Sequence, residues 1–220
     1  NMKLVDTLVE RMANMTSQLK TFAFNRPEQL SATSLPDSLQ QLLRIHQQRL
    51  QGVDVRIRIP STLPHVLGEP QRLMQVLGNL ISNALFAVTG RDKRQLQVSL
   101  QVQHADEEHC QLDIAPHPQF GQHGSAQIQV QKETPANQLW IDVSDSGSGI
   151  AEEHLGQIFN PFFSTKEGGK GLGLGLSISY RIIRDFGGTL TAFNRPEGGA
   201  TLRVILPLAE VEAGEKLHGV

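Results

Sequence analysis

Four stretches of the chain carry apolar residues at helical spacing, and five shorter ones alternate apolar with polar. Leu4, Leu8, Met12, Met15, Leu19 and Phe22 recur every three or four residues, which predicts an amphipathic helix over 1–24. Asn25 to Pro36 reads as a linker. Asp37 is the expected N-cap of a second helix running to about Leu50, with Leu39, Leu42, Leu43, Ile45 and Leu50 on its apolar face and Gly52 ending it. Val53 to Ile59 alternates strictly and predicts a half-buried strand. Pro60 and Pro64 mark a loop, and Glu69-Pro70 opens a third helix whose apolar positions are Leu73, Val76, Leu77, Leu80, Ile81, Ala84, Leu85 and Val88.

Leu96–Val102 and Leu139–Val143 are further alternating strands. Between them lies a long polar stretch, 103–138, holding His104, His109, Cys110, His117 and His123; Ile128 and Val130 alternate with glutamines there. Its spacings match no zinc signature, so an exposed loop or elongated hairpin is the expectation. A fourth helix follows Gly175. Leu190–Phe193 and Thr201–Leu206 form a closing pair of strands around the Arg195–Gly199 turn, and residues 209–220 read as a frayed tail.

The chemistry is concentrated in a few places. Gln75, Asn79 and Asn83 are spaced i, i+4, i+8, so three amides share one edge of the third helix. A strand delivers Asp145 into the turn Ser146-Gly147-Ser148-Gly149-Ile150. Ile158-Phe159-Asn160-Pro161-Phe162-Phe163-Ser164-Thr165-Lys166 comes next, and then Gly169-Lys170-Gly171-Leu172-Gly173-Leu174-Gly175-Leu176 runs into the fourth helix. Glycines ahead of a helix N-terminus let backbone N–H groups close on an anion, with the helix dipole aiding. Alone, such a turn is equally a hinge or a packing joint. It is not a Walker loop, since the Gly-Lys-Ser/Thr ending is absent.

In order and spacing these four blocks resemble the N, G1, F and G2 boxes of the catalytic ATP-binding domain of sensor histidine kinases. That domain belongs to the Bergerat-fold ATPase group that includes gyrase B, Hsp90 and MutL. The resemblance spans roughly 30 to 208, and the N-terminal helix is most similar to the C4-dicarboxylate sensor type. It implies an α/β (α+β) two-layer sandwich, a mixed, mostly antiparallel sheet with helices on one face. It also implies three regions: 1–28, the second helix of a dimerisation and phosphoacceptor hairpin with its linker; 29–208, the catalytic domain; and 209–220, the tail.

The resemblance assigns roles residue by residue. Asp145 would accept a hydrogen bond from the adenine amine; as a bare Asp-x-Gly it reads equally as an Asx turn. Asn83 would ligate Mg²⁺ through its carbonyl oxygen, with Asn79 facing the same phosphates. In water-using relatives the place of Asn79 holds a glutamate base, so an amide there argues for transfer to a histidine rather than hydrolysis. Gly147, Gly149 and Ile150 shape the adenine pocket. Phe159, Phe162 and Phe163 are packing residues of a mobile lid from about Ile150 to Gly171, and Lys166 is a γ-phosphate contact or a solvated lysine. Gly168, Gly169 and Gly171 give the lid flexibility. Gly173 and Gly175, with Leu172 and Leu174, lie under the phosphates, where a side chain would collide. Thr201 would reach the base through water.

The implied cofactors are ATP and Mg²⁺. The implied partners are the parent protein's own dimerisation domain, as a homodimer, and a response regulator receiver domain. The acceptor motif is absent, for neither His46 nor His154 resembles it; the expectation is that the acceptor helix lies upstream of residue 1. A stand-alone ATPase, a serine-phosphorylating anti-sigma kinase and a scaffold with a degenerate pocket are the alternatives.

Composition changes little. The 220 residues are 39% apolar and 19% charged with net charge −2, which gives no reason to propose a nucleic-acid partner. Cys110 is the single cysteine, so no internal disulfide is expected. No apolar run approaches the ~20 residues of a membrane span. The expectation is a cytoplasmic fragment without membrane contact, which is compatible with a longer parent anchored in the inner membrane.

Overall fold

The computed structural model describes residues 31–103, 137–166 and 172–209. The helix expected over 1–24, the Cys/His-bearing stretch 104–136, Gly168, Gly169, Gly171 and the tail from 210 lie outside the described residues.

A five-stranded sheet forms the frame. Its strands are β2 (Asp54–Arg58), β4 (Gln95–Gln103), β5 (Gln138–Asp145), β6 (Thr189–Asn194) and β7 (Ala200–Pro207), in the spatial order β2-β4-β5-β7-β6. The β2–β4 pair is parallel and the other three pairs are antiparallel, which makes the sheet mixed and mostly antiparallel as expected. Two short strands, β1 (Ser31–Thr33) and β3 (Val66–Gly68), pair separately and escaped the sequence pattern, being only three residues each.

Among the described residues three helices cover one face: α1 (Leu35–Ile45), α2 (Pro70–Ala87) and α4 (Gly175–Asp185); a short α3 (Glu152–Leu155) lies between β5 and α4. Alternation sends Leu96, Val98 and Leu100 of β4, Leu139, Ile141 and Val143 of β5, and Leu202, Val204 and Leu206 of β7 into the core. Against them pack Leu73, Val76, Leu77, Leu80 and Ile81 of α2, and Ile178, Ile182 and Ile183 of α4. At roughly 1.5–3 kcal/mol for each large side chain buried, this one face supplies the main stabilisation. On the opposite face Arg203 of β7 donates to both oxygens of Asp142 on the neighbouring strand at 2.7 and 2.8 Å, and its guanidinium lies 4.3 Å from the Trp140 ring centroid.

Four expectations need correction. The second helix starts at Leu35, not after an Asp37 cap: Ser34 is the cap residue and Pro36 sits in the first turn, where its missing N–H has no helical partner to lose. That helix ends at Ile45, which is 64% exposed, and the chain then turns through 46–52 to Gly52 at φ +73°. β2 is not half-buried. Among the described residues it is an edge strand with one neighbour, and Ile57 and Ile59 stay 40% and 38% exposed because the helices cover the sheet's centre. Phe162 does not pack in the lid, being 65% exposed at φ +68°. No helix among the described residues is long and apolar enough to cross a membrane.

Candidate functional site

The C-terminal end of α2, the last residues of β5, the segment 149–166 and the start of α4 enclose a cavity of about 540 Å³. Asp145, Gly149 and Ile150 line it, as do Asn79 and Asn83, Lys166, and Leu172 to Leu176. The sequence blocks, scattered over a hundred residues, converge there.

Asp145 is the last residue of β5 and continues the inward row of Ile141 and Val143, so the residue is only 7% exposed. One oxygen, Oδ1, accepts from the N–H of Gly147 at 2.8 Å and of Ala200 at 3.4 Å. That is the Asx turn. The turn does not exclude a ligand, because no described residue bonds Oδ2. Burial pushes the Asp145 carboxyl above its ordinary value, and the two N–H groups and the Arg195 charge offset this only in part.

The glycines around Asp145 are required by close approach. A Cβ on Gly147 would lie 2.8 Å from Ala87, so Gly147 abuts the end of α2 and is outside the cavity lining. Gly149 has φ +78°, and a Cβ there would meet Asn194 Oδ1 at 2.7 Å. Three residues that no sequence motif marks hold this floor. Asn194 accepts from Ile150 N–H and donates to Ile150 C=O, both at 2.7 Å. Arg195 donates to the Asp145 carbonyl at 3.1 Å, and Gly199, at φ +84°, lies so close to that carbonyl that any Cβ would overlap it. The Asn194-Arg195-Pro196-Glu197-Gly198-Gly199 run read only as a turn; its distance from Asp145 in sequence hid the contact.

Thr201 is a correction. It pairs with Ser144 across the β5–β7 ladder, and the two hydroxyls are 2.8 Å apart on the face away from the helices. Its neighbours Ala200 and Leu202 line the cavity instead, because strand alternation turns every second residue outward.

At the other end of the cavity, Asn79 donates to the Gly175 carbonyl and to Ser179 Oγ, each at 3.2 Å, tying α2 to α4. A Cβ on Gly175 would stand 3.6 Å from Asn79, an ordinary contact, so the expected collision is not with protein there. Gly173 does need to be glycine: at φ +69° a Cβ would overlap the backbone of Phe162 and Phe163. Leu174 is fully buried and anchors the loop, so the first turn of α4 faces the cavity. Asn83, one turn further along α2, also lines the cavity, and its Oδ1 accepts from the Lys166 ammonium at 2.8 Å. Lys166 also lies 4.6 Å from the Phe86 ring centroid, and burial followed by the Arg49 charge lowers its pKa. Lys166 is therefore not simply solvated. Phe163 packs edge-on to His154 at 5.2 Å, and Phe159 packs against Tyr180 at 5.4 Å.

Residues 68–210 match the family described as histidine kinase-, DNA gyrase B-, and HSP90-like ATPase. The chain belongs to this family. It is 30% identical over 200 residues to the C4-dicarboxylate transport sensor protein DctB of Rhizobium meliloti (strain 1021), covering 90% of this chain and 27% of that one. The chain thus spans under a third of the length of that relative. Its fold is that of the catalytic domain of histidine kinase ThkA, with a TM-score of 0.61 at 22% identity, over 82% of this chain and 97% of that one. It also matches full-length ShkA in complex with AMPPNP, with a TM-score of 0.64 at 19% identity, over 94% of this chain and 39% of that one. Membership in this ATPase family implies ATP binding, and the domain is homologous to those of two-component sensor histidine kinases.

Proposed function

We propose that the cavity binds Mg-ATP with adenine at the Asp145 end and the triphosphate between Asn83, Lys166 and the start of α4, for transfer of the γ-phosphoryl group to a histidine imidazole on a dimerisation helix. The observation that carries this reading is the split use of Asp145. One oxygen is fixed by backbone N–H groups and the other is left, on a buried residue, to accept from an exocyclic amine. Adenine carries an amine at that position and guanine a carbonyl, so the same carboxylate would select between the two.

Asn83 suits magnesium. Its carbonyl oxygen is a hard donor on the cavity wall and already attracts a cation, the Lys166 ammonium. When bound, magnesium supplies charge neutralisation over the phosphate oxygens. Asn79 supports phosphoryl transfer over hydrolysis, since its amide cannot take a proton from water and is engaged by Gly175 and Ser179. The rest of the reading follows from the resemblance. Residues 29–208 are the catalytic domain and 1–28 the second hairpin helix with its linker. The parent protein is a homodimeric sensor with a membrane anchor, and this part of it is cytoplasmic. The phosphohistidine then passes its phosphoryl group to a response regulator receiver domain.

Calorimetric titration with ATP and GTP tests the binding step. ATP should bind and GTP should not, and Asp145→Asn, which can present an amide donor to the adenine amine, should weaken ATP by about tenfold to a hundredfold. Equal affinity for the two nucleotides would sink the adenine assignment.

A further inference from the structure

Beside Asn83, on the same turn of α2, Ser82 also lines the cavity, and it is held by a residue from a different element. Arg49, in the turn between α1 and β2, donates from Nη1 to Ser82 Oγ at 2.9 Å and from Nη2 to the Ser82 carbonyl at 3.4 Å. Its backbone is pinned as well. The N–H of Arg49 donates to the His46 carbonyl at 2.9 Å, and that of Leu50 donates to the same carbonyl at 3.0 Å. The guanidinium has five N–H donors, and only the two just named have partners among the described residues. Two cations are thus fixed on consecutive residues of one helix: Arg49 on Ser82 and Lys166 on Asn83. They are near enough for the charge of one to be felt at the other.

Like charges do not gather without a reason. One cation lining the cavity and a second bonded to a lining residue, with donors left over, suit a doubly charged oxyanion, which a planar guanidinium binds through two parallel hydrogen bonds and an ammonium through one. The nucleotide reading above puts the terminal phosphate at this end. Building on that reading, we infer that Arg49 positions the γ-phosphoryl group of the bound nucleotide, gripping it together with Lys166, and that this pair makes the site prefer a nucleoside triphosphate to a diphosphate. Arg49 reaches the site from outside the nucleotide-binding boxes, which is why no motif marks it.

The test is calorimetric titration of ATP and ADP, each with magnesium, into the unaltered chain, Arg49→Ala and Arg49→Lys. The unaltered chain should bind ATP more tightly than ADP. Arg49→Ala should weaken ATP by about tenfold or more, the scale of one charge-assisted hydrogen bond, and leave ADP within about twofold. Arg49→Lys should recover part of the loss. Ser82→Ala, which keeps the charge but removes its hydroxyl tether, should weaken ATP by a smaller factor with ADP again unchanged. Equal weakening of ATP and ADP in Arg49→Ala would reduce Arg49 to a structural tie and overturn the inference, as would no change at all or an unaltered chain that does not distinguish the two nucleotides. If the unaltered chain binds ATP and prefers it, only the Arg49 assignment is at stake. If it binds neither nucleotide, the nucleotide reading fails with it.

Discussion

Asp145 carries opposed demands, and its surroundings decide how they balance. Burial favours the neutral acid, whereas an amine acceptor works best as the carboxylate, and two N–H groups with Arg195 favour that charged form without cancelling the burial effect. Its folded pKa is raised, so between the ordinary carboxylate value and the folded one the native state binds more protons than the unfolded state. Stability contributed by this group is greatest at low pH and is lost as pH rises through that window. Denaturant midpoints over acidic to neutral pH should therefore fall for the parent chain relative to Asp145→Asn, which has no proton to lose. A midpoint that instead rises relative to Asp145→Asn would mean the carboxylate is stabilised by its partners. Gly199 offers a second residue-scale check. Gly199→Ala should cost about 2 kcal/mol or more, because a methyl would overlap the Asp145 carbonyl at a positive φ. Gly198→Ala meets open space at φ +96° and should cost about 1 kcal/mol, from backbone strain alone. Similar melting temperatures for the two variants would contradict the close approach. The Asp145, Asn83 and Lys166 positions were legible in the sequence because each sits in a short local motif. Asn194, Arg195 and Gly199 were not, because what they do depends on a hairpin returning beside β5.

Among the elements, the strongly periodic ones were read well and the marginal ones were not. α2 has a proline at its start and seven buried apolar residues at helical spacing, so it was legible almost to the residue. The alternation of β4, β5 and β7 was equally plain, because each has one face against the helices. β2 shows the limit of such reasoning. Alternation marks a strand but not its place in the sheet, and at an edge the same isoleucines stay exposed. Thr201 failed for a related reason, since a shift of one residue in a strand moves a side chain to the other face. Asn194 at the end of β6 is the tie that fixes the chain leaving Gly149. Asn194→Ala should remove both Ile150 hydrogen bonds, speed amide exchange at Ile150 markedly and cost about 1–2 kcal/mol, while exchange in α2 is unchanged. Unaltered exchange at Ile150 would show that the segment is held by other means.

For the molecule as a whole, the two-layer sandwich makes one site from remote parts: β5 supplies the carboxylate, α2 the amides, the following segment Lys166, and α4 its N-terminal turn. The sheet order puts β5 next to β7, which brings the 194–199 turn against Asp145, and the α2–α4 contact brings Asn79 onto Gly175. None of these neighbours is close in sequence, so the resemblance to the histidine kinase domain, rather than periodicity, carried the topology. We propose that this arrangement delivers a phosphoryl group to a histidine supplied by another helix and does not spend it on water. The most direct measurement is incubation with Mg-ATP labelled at the γ-phosphate, with and without the histidine-bearing dimerisation hairpin of the same parent protein. Acid-labile, base-stable label should appear on the hairpin and none on the chain alone, with slow release of free phosphate. Brisk hydrolysis by the isolated chain that survives Asn79→Ala, or label on one of its own eight histidines, would contradict it.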